Sequence, residues 1–278
     1  MVGVGSPFGS LLRTLRVERS LSQLGLATQA DVSTRHVSFL ETGRAFPSRE
    51  MVQKLGGVLD LSLRDKNALL DAAGFAQTYR ETRLDDAAMA DVRRALEMIL
   101  RRNEPFGAVA VDRHWNVVVA NEGYAKVHEL LLGSQAIVPY RVEHPPRVNV
   151  LRSFFEPGGI REHIVNWADV ARALLPRIIR ELHSRDRRAR ELVEEILAYE
   201  GVRALGGGET FGVPPLVVPV ELRVGDANVR LFSTLTTLGT PQDVTLQELR
   251  IESFHPADAD SETFVTTFLS PAAPPKPS

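Results

Sequence analysis

A chain of 278 residues, 44 % apolar and 24 % charged, is long for one compact core and suits two folded domains of ordinary composition. It contains no cysteine, which excludes disulfides, thiolate metal sites and cysteine nucleophiles and leaves seven scattered histidines as the only soft metal ligands. The net charge of −2 is unevenly spread: residues 8–74 carry nine Lys and Arg against seven acids, so the remainder is negative, which permits a nucleic-acid partner for the first segment without demonstrating one. No stretch approaches the roughly 18–20 apolar residues of a membrane span, and Met1–Ser6 lacks a basic run leading into an apolar core. The expectation is a cytoplasmic protein that does not engage a membrane.

Five short helices are predicted between Phe8 and Ala73. The first, near Phe8–Arg19, places Phe8, Leu11, Leu12 and Leu15 on one face; the second begins at Ser22, an N-cap, with Leu24 and Ala27 inward. The third is capped by Ser33 and ends at Gly43. The fourth starts at Ser48 after Pro47, with Met51, Leu55, Val58 and Leu59 inward, and the fifth runs from about Ser62 to Gly74. Each is too short to stand alone, so all five must share a core.

A polar stretch at 76–82 marks a boundary, and an amphipathic helix follows from about Leu84 to Arg102 with Val92, Leu96, Ile99 and Leu100 inward. Pro105 ends it. Ala108–Val111 and Asn116–Ala120 read as a hairpin around Asp112–His114. Helical periodicity returns at Asn121–Leu132 and through Ile160–Ala204, with Trp167, Val170, Ala171, Leu174, Ile178, Leu182, Leu192, Ile196 and Leu197 inward. Leu216–Val224, Val229–Leu238 and Val244–Phe254 read as an antiparallel meander. The expected fold is α+β in two domains: residues 1–76 all-α, residues 83–270 a sheet of about five antiparallel strands with flanking helices, and a proline-rich, disordered tail at 271–278.

The run from Leu21-Ser22-Gln23 through Ala27, Val32-Ser33-Thr34-Arg35-His36-Val37-Ser38-Phe39-Leu40-Glu41 and Gly43-Arg44-Ala45-Phe46-Pro47 resembles the Cro/C1 (Xre) helix-turn-helix family. That resemblance implies double-stranded DNA as partner, with the third helix in the major groove. Ser33, Thr34, Arg35, His36 and Ser38 would then face the groove while Val37 and Leu40 face the core. Arg35 is the candidate base reader, because its donor fork matches the two major-groove acceptors of guanine. Gln23, in the first turn of the second helix, and Arg44 and Arg49 suit phosphates. The resemblance also implies an Arg16–Glu41 pair that orients the reading helix, and a homodimer on a roughly palindromic operator.

Asp112-Arg113-His114-Trp115-Asn116 leading through Val117–Ala120 to Asn121 resembles the opening of a PAS domain. Asn166-Trp167-Ala168-Asp169, Phe232–Thr245 and Glu248-Leu249-Arg250-Ile251-Glu252 resemble the MmyB-type ligand-binding domain, a family that joins an Xre-type helix-turn-helix to a PAS-like sensor. The resemblance implies a bound fatty-acid-like molecule. Trp115, Tyr124, Phe154, Phe155, Ile164, Trp167, Leu174 and Ile178 would line its pocket, and Asn121, Arg152 or His163 would meet a carboxylate. No catalytic motif is present: Gly206-Gly207-Gly208 lacks the Lys-Ser/Thr of a phosphate loop, and Asp243, Glu248 and Glu252 read as surface and cap. The expectation is therefore no enzyme, metal or cofactor. An enzyme, or a protein-binding adaptor built on the C-terminal α+β domain, is the alternative.

Overall fold

Each of the first five helices begins at a serine whose hydroxyl accepts the backbone N–H three residues on, at 2.9–3.2 Å. They are α1 (Pro7–Glu18), α2 (Gln23–Gln29), α3 (Thr34–Glu41), α4 (Arg49–Val58) and α5 (Leu63–Ala72). In the computed structural model, residues 6–133, 135–142, 145–182, 186–205 and 218–269 are described. The tail at 271–278 and the Gly206–Gly208 run lie outside them.

The chain divides into two compact units, Met1–Thr82 with Gly239–Gln247, and Arg83–Leu238 with Glu248–Ser278. Helices of the first unit close on one core of Phe8, Leu12, Leu15, Leu26, Ala27, Val37, Leu40, Val52, Leu55, Leu59, Leu69 and Leu70. Gly9 is where α1 meets the end of α3: a Cβ there would lie 2.4 Å from the Glu41 carbonyl oxygen. Leu24, expected inward, is 63 % exposed, and Leu26 takes the core position instead. With only two turns in α2, the phase of the apolar stripe is fixed by the neighbouring helices rather than by its own periodicity.

The second unit opens with a 3-10 turn (Ala87–Met89) capped by Asp86, then α6 (Ala90–Arg102). Its core side is Leu96 and Leu100; Ile99, expected beside them, is 38 % exposed. Strands β1 (Ala108–Val111) and β2 (Val117–Ala120) form the expected hairpin. Asp112 builds its turn, accepting from the backbone of His114 at 2.8 Å and of Asn116 at 2.9 Å. Next come α7 (Glu122–Leu132), α8 (Val150–Phe155), a 3-10 turn (Ile160–His163), α9 (Trp167–Leu182), α10 (Arg187–Ala198) and α11 (Val202–Leu205).

Strands β3 (Val220–Val224) and β4 (Ala227–Thr237) lead through α12 (Val244–Glu248) to β5 (Arg250–Pro256) and a final helix, α13 (Ala259–Phe268). The sheet order is β2-β1-β5-β4-β3, and every pairing is antiparallel. The strand expected over Val244–Phe254 is thus half helix. Asp243 stops β-structure there, accepting from Thr245 N–H at 2.9 Å and from the Thr82 hydroxyl at 2.7 Å. Gln247 likewise accepts from Leu63 N–H at 2.6 Å, at the start of α5. The loop between β4 and β5 is therefore part of the first unit.

Candidate functional site

In α3 the burial pattern separates two faces. Val37 and Leu40 are fully buried, whereas Thr34 and Arg35 are exposed and His36 and Ser38 half-buried. Ser33 caps the helix through His36 N–H at 3.1 Å, so its hydroxyl is engaged in holding the first turn. Arg35 lies over the Phe39 ring at 5.0 Å and Arg44 over the same ring at 5.9 Å. One half-buried aromatic thus holds two guanidinium groups beside the exposed face of the helix.

Behind that face Arg16 and Glu41 form the expected pair, Nε to Oε1 at 2.6 Å and Nη2 to Oε2 at 3.0 Å. Gln23 adds a third donor to Glu41 at 2.8 Å. Burial alone would raise the Glu41 pKa; the hydrogen bonds from Arg16 and Gln23 and the charges of Arg16 and Arg13 outweigh it and hold the carboxyl below its ordinary range. Gln23 is therefore tied to the orienting pair. Arg49 donates to the Ala76 carbonyl at 2.6 Å and the Thr78 hydroxyl at 3.0 Å, which ties α4 to the chain after α5.

In the second unit a cavity of about 180 Å³ lies between the sheet and its helices; for scale, roughly 150 Å³ accommodates benzene. Alternation along the strands builds its floor: Leu231, Ser233 and Leu235 of β4 with Glu252 and Phe254 of β5. Trp115, Tyr124, Phe154, Ile164, Leu174 and Ile178 all line it. The other residues expected there are elsewhere. Asn121 is a fully buried brace, accepting from Ala108 and Tyr124 N–H and donating to the Leu100 and Phe106 carbonyls. Phe155 packs edge-on against Phe154 and Trp167, and the Trp167 indole donates to the Phe154 carbonyl at 2.9 Å. Arg152 forms a two-bond pair with Glu195, both at 2.8 Å, and His163 sits in the 3-10 turn away from the lining.

Of the polar groups the cavity contains, only Trp115 and Tyr124 were singled out from the sequence as ligand contacts. The polar lining is Arg177 of α9, His128 of α7, Ser233 and Glu252, with the Trp115 indole and Tyr124 phenol. Burial pushes the Glu252 carboxyl up, opposed by the Ser233 hydroxyl and the charge of Arg177. Glu252 had read as surface; the pleat instead turns it to the same face as Phe254, and that shared parity was the available signal. Two buried atoms of the lining, Trp115 Nε1 and Glu252 Oε2, have no hydrogen-bond partner among the described residues.

Comparison with known proteins bears on both units. Residues 7–70 match a helix-turn-helix domain family, and residues 92–267 match the family described as the MmyB-like transcription regulator ligand binding domain. An uncharacterized HTH-type transcriptional regulator of Mycobacterium bovis is 36 % identical over 119 residues, 42 % of this chain and 42 % of the relative. Counterparts from two Mycobacterium tuberculosis strains match to the same extent. The matched stretch thus covers less than half the length of these relatives.

Proposed function

Because the chain belongs to the MmyB-like transcription regulators, a helix-turn-helix joined to a ligand-binding domain, we propose that α3 reads an operator in the major groove and that the cavity of the second unit senses a fatty-acid-like molecule through a PAS-like domain. The observation that carries the first half is the two-sidedness of α3: Val37 and Leu40 anchor it while Thr34 and Arg35 stand outward. Arg35 is the base reader, with Thr34, His36 and Ser38 beside it; Arg44, Arg49, Gln23 and the Ser33 cap border the phosphates. The protein binds as a homodimer to a roughly palindromic site, each copy supplying one α3 to a half-site. It works in the cytoplasm.

The mostly apolar lining of the cavity supports an extended hydrocarbon ligand. Continuity of the chain supports a route from cavity to DNA. Strands β4 and β5 both line the cavity, and the loop that joins them is held in the first unit by Asp243 and Gln247. A ligand that spreads or draws together those strands biases the two ends of that loop, and a coupling of this kind has typical magnitudes of about 1–3 kcal/mol.

The test is selection of duplexes from a random pool by the full chain, followed by fluorescence-anisotropy titration of the recovered duplex and a scrambled one. The reading requires at least about a thousandfold preference for the recovered duplex at physiological salt. Equal affinity for both would overturn it.

A further inference from the structure

We infer that Phe39 is a positioning residue for operator reading: its ring holds the guanidinium groups of Arg35 and Arg44 in place and leaves their hydrogen-bond donors free for guanine and for phosphate. This rests on the reading of α3 as the helix that enters the major groove, and it names the group that orders the arginines there.

Two short-range features bring both arginines to one ring. Arg35 precedes Phe39 by four residues, so the two side chains share one face of α3, and the guanidinium carbon stands 5.0 Å from the ring centroid. Arg44 arrives through the helix end. Gly43, at φ +73°, reverses the chain: its N–H donates to the Leu40 carbonyl at 3.3 Å, and the Arg44 N–H donates to the Phe39 carbonyl at 2.8 Å. That closure returns the Arg44 side chain to the ring, 5.9 Å from its centroid. Phe39 is half-buried, while both arginines are exposed.

The way each cation is held decides what it can still do. An arginine fixed by a carboxylate spends its donors: Arg16 commits Nε and Nη2 to Glu41 and Nη1 to the Leu21 carbonyl. A guanidinium over an aromatic face is attracted through its charge, and none of its N–H groups is consumed. The side chains of Arg35 and Arg44 make no hydrogen bond or ion pair among the described residues. Arginine is rotamer-rich, and freezing it at an interface costs affinity unless the free protein has already ordered it. Phe39 supplies that order. Arg35 then carries its donor fork to a guanine edge, and Arg44, just beyond the helix, carries its own to a neighbouring phosphate. Leucine at position 39 would keep apolar bulk and offer no aromatic face.

The experiment is anisotropy titration of the full chain against the recovered duplex and a set in which each of its guanines is exchanged in turn. Phe39→Leu is expected to lower discrimination at the guanine read by Arg35 by about fivefold, and Phe39→Tyr to keep it within about twofold of the parent. In an Arg35→Ala background, Phe39→Leu is expected to change discrimination by less than about twofold, because the ring acts through the arginine. The salt dependence gives a second readout. Phe39→Leu keeps the parental slope, since the same cations reach the phosphates, whereas Arg44→Ala reduces it by about 0.9. Replacing Phe39 with pentafluorophenylalanine keeps the ring's shape and reverses its charge distribution; the same loss is expected, and this variant carries the test if Phe39→Leu loses helicity.

Parental discrimination in both ring variants overturns the inference and leaves α3 standing as the reading helix. A loss of equal size in the Arg35→Ala background makes the ring itself the base contact and also overturns it. If the parent protein shows no preference among the duplexes, the reading of α3 fails, and the inference with it.

Discussion

Replacing Glu41 with alanine is expected to destabilise the first unit by about 3–5 kcal/mol, the range for stripping one partner from a buried ion pair. The figure needs no large allowance for solvent, because the two side chains are only 2 % and 10 % exposed. Three donated hydrogen bonds are lost at once, and the Arg16 guanidinium remains buried with only its bond to the Leu21 carbonyl at 2.7 Å. A loss of that size approaches the whole of the roughly 5–15 kcal/mol that keeps a domain folded. It corresponds to a fall in the first melting transition of about 12–40 °C for a unit of this size.

Removing both partners is expected to be far milder. Arg16→Met with Glu41→Leu keeps the volume and leaves no buried charge, so stability should return to within about 1 kcal/mol of the parent. The pair also sets an acid limit. The folded pKa of Glu41 lies below its ordinary 4.5, so the stabilisation is complete above that pH and is lost as pH falls through the lowered folded value. Melting followed by circular dichroism, as a function of pH, measures all three quantities. The reasoning is refuted if Glu41→Ala costs less than about 1 kcal/mol, or if the double variant is no more stable than the single one.

Other substitutions test other parts of the account. Arg35→Ala is expected to lower discrimination between the selected and a mismatched duplex by about 1–3 kcal/mol without loss of helicity; an unchanged ratio in a gel-shift assay counts against Arg35 as reader. Gly123→Ala, where a Cβ would meet the Pro105 carbonyl oxygen at 2.3 Å, should destabilise the second unit by about 1–3 kcal/mol in a denaturant melt; an unaltered midpoint would contradict the close packing of α7. Ile178→Trp should fill the cavity and weaken decanoate binding by at least about tenfold; calorimetry that finds parental affinity would place the ligand elsewhere.

The first unit was legible because its information is local. The serines at the starts of α2 to α5, a turn between α2 and α3 and the Gly43–Pro47 exit are short-range signals, and each survived folding intact. Leu24 was misplaced because α2 has too few residues to define a face. In the second unit the hairpin and the helical stripe of α9 were legible for the same reason, whereas three features were not. Val244–Glu248 carries strand-like residues but is turned helical by Asp243, whose other partners lie at Thr82. The helix α13 was missed in a Ser- and Thr-rich stretch whose hydroxyls Thr263 and Thr266 bond back to carbonyls four residues earlier. Glu252 could be given a strand parity from the sequence, but only the helices that cover the sheet decide which parity faces a cavity.

Asn121 and Arg152 carry a further lesson. Both are polar groups close in sequence to the cavity lining, and both are consumed by structure, one bracing the start of α7 and the other paired to α10. Polar side chains near an apolar pocket are available to a ligand only when the fold leaves them unsatisfied, and that condition is met at Trp115 and Glu252.

The most direct test of the central claim is one anisotropy titration of the selected duplex, with and without saturating decanoate, at fixed salt. A ligand-responsive regulator requires the two affinities to differ by about fivefold or more, in either direction. Superimposable curves from a protein shown by calorimetry to be ligand-saturated would contradict it.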